Sequence, residues 1–446
     1  MKKLYSIIVL ITIIAGGLGA QDISDFENLD KVTEKGFFKN YVSGLFKGFT
    51  DFGEPFNMSG GIGINMRSYS AFGTDARQDP FFYSLNANTN IRIYKLNLPF
   101  SLLVSAKNTE SSYPNPKELV NAFKNNVENQ IENQKNRFVR FGTSPQYKWV
   151  KMHFGHRSMN FSQFTLANLN FLGAGMELTP GKVRFSSMYG RLAKAEPLDL
   201  SLLTPNIPVF ERVGWGMKMG YGTNEEYADL IIFKATDDPQ SVFIPDTISG
   251  QPAPEENLVI GFNVQKTLLE KLRLKVEYAT SAQSPNSEDA PVANRFPHPK
   301  FLMQGRMTTE YKNALESSLD FQAKIFTVGV KYKRIDPNYR SMGAYFFNND
   351  IEDYTANVSF GLFKSAVNAK LSGGVQRNNL DNTQPSRLTR FIGSANINYT
   401  LNSFNLGLTY SNNSSDVAYL LDAELDSLNV IIVTQDAGIN ASYSFP

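Results

Sequence analysis

Residues 271–279 read KLRLKVEYA, with Leu272, Leu274, Val276 and Tyr278 alternating with Lys271, Arg273, Lys275 and Glu277. Period two means a β-strand with two unlike faces. In a soluble sandwich the apolar face meets a core; in a membrane barrel it meets lipid, and the charged face meets a wet lumen. The pattern recurs along the whole chain, for example at Tyr83/Leu85/Ala87, Leu258/Ile260/Phe262/Val264, Phe326/Val328/Val330/Tyr332, Phe404/Leu406/Leu408/Tyr410 and Ala437/Ile439/Ala441/Tyr443/Phe445. Each segment has about ten residues, the length a tilted strand needs to cross a bilayer.

The connections between segments alternate as well. Short ones fall at Lys95-Leu96, Pro145-Gln146, Pro180-Gly181, Gly222–Glu225, Thr267–Glu270, Lys324-Ile325, Lys364–Ala366 and Leu401-Asn402. Long ones fall near 70–79, 109–136, 157–169, 193–209, 237–255, 282–310, 336–351, 378–387 and 413–433. This interleaving belongs to outer-membrane barrels, with short periplasmic turns and long outer loops. It predicts an all-β, transmembrane, antiparallel up-and-down β-barrel of about 18 strands, with both termini periplasmic. The closing ASYSFP, with Tyr443 and Phe445 on one strand face, resembles the signal read by the outer-membrane assembly machinery.

Residues 1–20 read as a secretory signal peptide: basic Lys2 and Lys3, an apolar run over 4–14, then AGGLGA. That run is shorter than the roughly 20 residues a membrane helix needs. Beyond it no apolar run reaches that length, and mean hydropathy is -0.28, too polar for a helical membrane protein. The chain has no cysteine, which excludes disulfides and thiolate metal sites. Without Lys2 and Lys3 the basic and acidic residues balance, so nucleic acid is not an expected partner.

Two stretches depart from the strand pattern. Phe37, Phe38, Tyr41, Val42, Leu45, Phe46 and Phe49 stand at helical spacing within 34–50, an amphipathic helix in a periplasmic N-terminal segment, 21–54. Leu119, Phe123, Val127 and Ile131 stand four apart within 116–135, a helical insert in the second long loop. That insert either folds into the pore or caps the outside. The barrel itself is expected over 55–446.

Three stretches, DPFFYSLNANTNIRIY (79–94), FGTSPQYKWVKMHFGHRSMNFSQFTLANLNFLGAGMELTPGKVRFSSMYGRL (141–192) and YKRIDPNYRSMGAYFFNND (332–350), carry a resemblance. The chain resembles an uncharacterised, porin-like family of outer-membrane β-barrels of Bacteroidota. The resemblance implies a barrel in the outer membrane of a Gram-negative bacterium and carries no activity or site residue with it. The 116–135 helix looks like an addition to the family pattern.

Catalysis finds little to build on. His153, His156 and His298 are dispersed, and no serine motif accompanies them. Neither an enzyme nor a cofactor is expected. The acidic clusters Asp237/Asp238, Glu288/Asp289 and Asp350/Glu352/Asp353 could offer oxygen ligands to calcium, yet none has the spacing of a known calcium loop. They read as solvated loop charge.

Strand parity gives more. It puts Arg67, Arg92, Lys151, Arg184, Arg212, Lys218, Arg273, Lys275, Lys331, Lys333, Lys370 and Arg390 on the wet face, against only Glu177, Glu277, Glu316 and Asp320. Confined cations favour anions. The expected function is therefore an outer-membrane porin-like channel for passive or facilitated diffusion of small polar, anionic solutes. Its partners are outer-membrane lipids, those solutes, and an envelope protein or a second copy of the chain. The alternative is a plugged barrel serving as a structural or interaction subunit of an envelope secretion or assembly complex.

Overall fold

The computed structural model describes residues 56–69, 81–108, 137–198, 206–245, 250, 252–292, 300–345, 348–363, 366–419 and 429–445. The expected signal peptide, the 21–54 segment with its helix, and the 116–135 helix lie outside the described residues.

The alternating segments become a sheet of nineteen strands. They are β1 (Phe56–Ser68), β2 (Phe81–Ile93), β3 (Leu96–Asn108), β4 (Arg137–Thr143), β5 (Gln146–Tyr147), β6 (Val150–Asn160), β7 (Ala167–Leu178), β8 (Val183–Ala193), β9 (Glu211–Gly222) and β10 (Tyr227–Asp238). They continue with β11 (Glu256–Leu268), β12 (Leu272–Ser284), β13 (Glu310–Gln322), β14 (Phe326–Ile335), β15 (Ile351–Leu362), β16 (Val367–Arg377), β17 (Ser386–Leu401), β18 (Phe404–Tyr419) and β19 (Val430–Tyr443). From β6 to β19 each strand pairs antiparallel with the next in sequence. This is an up-and-down β-barrel. The chain divides into two units. The smaller contributes Phe56–Ser59 and Ile91–Lys95 to the described residues; the larger, Gly60–Asn90 with Leu96–Pro446, holds the lumen described below.

Nineteen strands make eighteen crossings, because β4 and β5 are one crossing interrupted at Ser144-Pro145. Both pieces pair with β3 on one side and β6 on the other. Proline has no N–H to give the ladder, so the ladder breaks there. The carbonyl of Pro145 still accepts from Met152 N at 2.9 Å. The turn expected at Pro145-Gln146 lies instead at Lys148-Trp149, where Lys148 takes a positive φ of 52°. The proline was a turn signal in composition but a strand break in fact.

Register assigns the faces. On β12, Leu272, Leu274, Val276 and Tyr278 share the outer face with Phe321, Leu319, Ser317 and Leu315 of β13. Arg273 and Lys275 face inward opposite Asp320 and Ser318. The outer face is apolar and exposed, as at Met219, Leu230, Phe262, Val330, Leu371 and Leu408, which suits contact with lipid.

The inner wall is not uniformly wet. On β10, Ile231, Phe233 and Ala235 point inward and are buried, while Leu230 and Ile232 point outward. Apolar residues stand on both faces because two connections fold into the barrel. Phe161–Leu166, between β6 and β7, packs with Met159, Leu169, Phe171, Met188, Ile231, Phe233 and Met342. Phe164 packs with Val259, Ala279, Ala314, Ile335 and Tyr339. Glu277, expected to meet lumen water, is instead 3% exposed beneath this loop.

Candidate functional site

The two inward connections hold each other. Tyr339 donates its hydroxyl to Phe164 O at 2.7 Å, and Ser341 donates to Thr165 O at 2.6 Å. Ala167 N donates to Gly343 O at 2.9 Å. The barrel wall holds both: Phe164 N donates to Glu277 Oε1 at 3.1 Å, Met342 N to Asn257 Oδ1 at 3.0 Å, and Ser281 Oγ to Arg340 O at 2.6 Å. Glycines make the room. A Cβ on Gly216 would come 2.8 Å from the Phe161 ring, and one on Gly343 would come 2.5 Å from Thr165 O. The result is a narrowing built on the β6–β14 side of the lumen. Beside it a cavity of about 710 Å³ is lined by Arg212, Glu255, Lys312, Tyr339, Arg340 and Asn349, among others.

Most of the inward cations on this side have carboxylate partners. Lys151 Nζ lies 2.9 Å from Glu177. Arg184 grips both oxygens of Asp229 at 2.9 and 3.1 Å, and Arg212 grips those of Asp237 at 2.6 and 2.9 Å. Such two-pronged pairs are strong and directional. Arg212 also reaches Glu255 at 2.9 Å. Lys331 and Lys333 share Glu316 at 3.6 and 3.8 Å. Lys218 and Lys333 lie over the rings of Phe161 and Phe164, 5.7 and 5.8 Å from their centroids.

The remaining candidates are spread out. Arg273 and Lys275 stand on β12, Lys370 on β16 opposite Ser359 and Asn396, and Arg390 on β17 bonded to Gln376 at 3.4 Å. Arg67 is exposed with its guanidinium 5.6 Å from the Phe82 ring centre. Arg92 is exposed on β2 in the smaller unit. Sequence parity missed the acids Asp229 and Asp237 and the loop residue Glu255. The two aspartates do follow parity, but the apolar residues on both faces of β10 hide it.

The opposite wall differs in kind. The inward residues of β16–β19 include Ser372, Ser394, Asn396, Asn398, Thr409, Ser411 and Asn440, and their only charges are Lys370, Arg390 and Asp436. Ser394, Asn396, Asn398, Thr409, Ser411 and Asn440 are exposed. No buried cluster of the described residues covers this wall.

His153 sits between Ser144 Oγ, 3.0 Å from Nδ1, and Glu177 Oε1, 2.7 Å from Nε2. These are the residue types of an acyl-transfer triad, but serine and carboxylate are exchanged between the ring nitrogens. Ser144, 8% exposed, stands at the β4–β5 break. The row ties that break to β6 and β7. His156 points outward on β6, and His298 lies outside the described residues. The acidic loop pairs are engaged: Asp350 accepts from Asn379 N and Leu380 N, and Asp289 from Asn286 and Thr308. Asp237, read as solvated loop charge, is instead a buried ion-pair member. Among the described residues no acidic or histidine cluster has the makings of a metal site.

No protein-family model matches the chain, and no curated protein matches it. Among solved structures, the chain shows a distant similarity to outer-membrane proteins. Pseudomonas aeruginosa OpdK, crystallised with vanillate, is 9% identical with a TM-score of 0.38, over 86% of this chain and 96% of that one. Pseudomonas aeruginosa OccK2 (OpdF), in complex with glucuronate, is 8% identical with a TM-score of 0.39, over 88% and 99%. A BenF-like porin from Pseudomonas fluorescens Pf-5 gives 8%, 0.39, 88% and 99%.

Proposed function

We propose that the chain is an outer-membrane channel for diffusion of small polar solutes, narrowed but not filled by its two inward connections. One observation carries this reading: the inner wall of β6–β14 is covered, while that of β16–β19 is exposed. A water path beside the narrowing fits that asymmetry. An even number of crossings fits both termini on the periplasmic side, and the apolar outer face fits lipid as its partner.

The twelve basic residues named from the sequence are the proposed charged lining. Carboxylates offset Lys151, Arg184, Arg212, Lys331 and Lys333, so the anion bias rests on the others, chiefly Arg273, Lys275, Lys370 and Arg390. The bias is accordingly weaker than twelve free cations would give.

The scaffold reading draws its support from the buried clusters around Phe161 and Phe164. Planar-bilayer recording with purified full-length protein separates the two. Stepwise ion conductance is expected. Reproducible insertion with no conductance overturns the channel and leaves the scaffold.

A further inference from the structure

The lumen has one charged wall, largely occupied, and one exposed wall that is mostly amide and hydroxyl, its inward charges limited to Lys370, Arg390 and Asp436. From this we infer that the permeant is a small, uncharged solute dense in hydroxyl groups, of the sugar or polyol class, guided along β16–β19. The inference rests on the channel reading above and names its substrate class.

Most of the inward side chains of this wall are amides and hydroxyls. Asn396 and Asn398 on β17 adjoin Thr409 and Gly407 on β18, and Gly407 adjoins Asn440 on β19. Each amide carries both donors and acceptors, and each hydroxyl does too. Neighbouring strands lie about 4.8 Å apart and like-facing residues about 7 Å apart along a strand. A solute with hydroxyls on several carbons can exchange its water bonds for this array one at a time, without shedding a charge. At the end near the short Leu401–Phe404 turn, a recess of about 540 Å³ is lined by Asn398, Thr400, Asn405, Thr409, Asn440 and Ser442 together with apolar residues and glycine; no charged side chain lines it. At the other end, inward Ile392 and Ile432 are 43% and 57% exposed. They offer apolar surface to the C–H faces that sugars also carry.

The test uses full-length protein in liposomes. Swelling is compared for xylitol and triethylene glycol, uncharged solutes of nearly equal size, after subtracting protein-free vesicles. Xylitol carries a hydroxyl on every carbon; the glycol carries hydroxyls only at its two ends, with ether oxygens between. Xylitol is expected to enter at least about threefold faster, a factor that less than one net hydrogen bond supplies. In the triple variant Asn396→Ala, Asn398→Ala, Thr409→Val the ratio should fall towards one. If the variant fails to assemble, the wild-type comparison still decides. Equal wild-type rates make the lumen a size sieve and overturn the inference, as does a ratio unchanged in an assembled variant. Ion conductance with xylitol excluded overturns it while leaving the channel intact. Failure of ions and both solutes to pass overturns the channel itself.

Discussion

Arg212 and Lys151 both meet carboxylates inside the barrel, in unlike surroundings. The Asp237 side chain beside Arg212 is 4% exposed, whereas Lys151 and Glu177 are each 37% exposed. Removing one member of a buried pair strands the other, at about 3–5 kcal/mol; removing a half-exposed member costs about 0–1 kcal/mol. Arg212→Ala should therefore lower the urea midpoint of the vesicle-inserted barrel far more than Lys151→Ala. Similar midpoints for the two would contradict this reading of Asp237. Selectivity is decided by other residues. Lys331 is tied to Glu316, so reversing its charge mixes repulsion with permeation. Lys275→Glu with Lys370→Glu is the cleaner change, since neither lysine has an ion pair among the described contacts. The reversal potential in a salt gradient should move towards cations, more so at low salt where screening is weak. No movement would make these lysines structural. Parity revealed the cations in the sequence, because they alternate with apolar neighbours. It revealed only part of their offset: Glu177 and Glu316 were on the wet face by parity, but Asp229, one strand beyond Arg184's neighbour, and Asp237, directly opposite Arg212, were hidden by the apolar residues on both faces of β10.

The elements that narrow the lumen are two connections held by a few bonds. Tyr339→Phe and Ser341→Ala each remove one hydroxyl bond to the Phe161–Leu166 connection. A net hydrogen bond is worth about 0.5–1.5 kcal/mol, enough to raise the open fraction of the connection several-fold for each change. The double variant should show larger or noisier single-channel currents; currents identical to wild type would mean that this narrowing does not limit flow. Strand identity was legible along most of the chain, because lipid on one side forces period two. The inward folding was not. FSQFTL reads as an ordinary loop, and what it packs against is distant in the sequence. The traces it left are local absences of pattern: Gly214 and Gly216 where inward side chains would stand, and LIIF in β10 where alternation fails. The Pro145 break was misread for a related reason. A proline marks a lost N–H, and only the paired neighbours decide whether that loss ends a strand or interrupts it.

At the scale of the molecule, eighteen crossings and interleaved connection lengths imply two distinguishable ends. The chain has no cysteine, so single-cysteine labelling has no native background. Glu288→Cys and Asp381→Cys lie in long connections and should react with an impermeant maleimide on intact cells. Lys182→Cys and Glu225→Cys, in short turns, should react only after the outer membrane is opened. The reverse pattern would invert the barrel.

The pairing of the two inward connections also orders events in time. Phe164 bonds with Glu277 across 113 residues and with Tyr339 across 175. Contacts so distant in sequence must wait for the loop between them to be closed, and that closure is slow. The wall that receives Phe164 is supplied by Val259, Ala279, Ala314, Ile335 and Ile351 of β11–β15, strands that follow it in the chain, whereas Phe161 already meets Met159, Leu169, Phe171 and Met188 of β6–β8. The Phe164 ring has no such local partners and is buried only once that wall stands. The Phe164 side of the narrowing therefore closes only after the strands around it are in place, and it is among the last parts of the protein to acquire a shape.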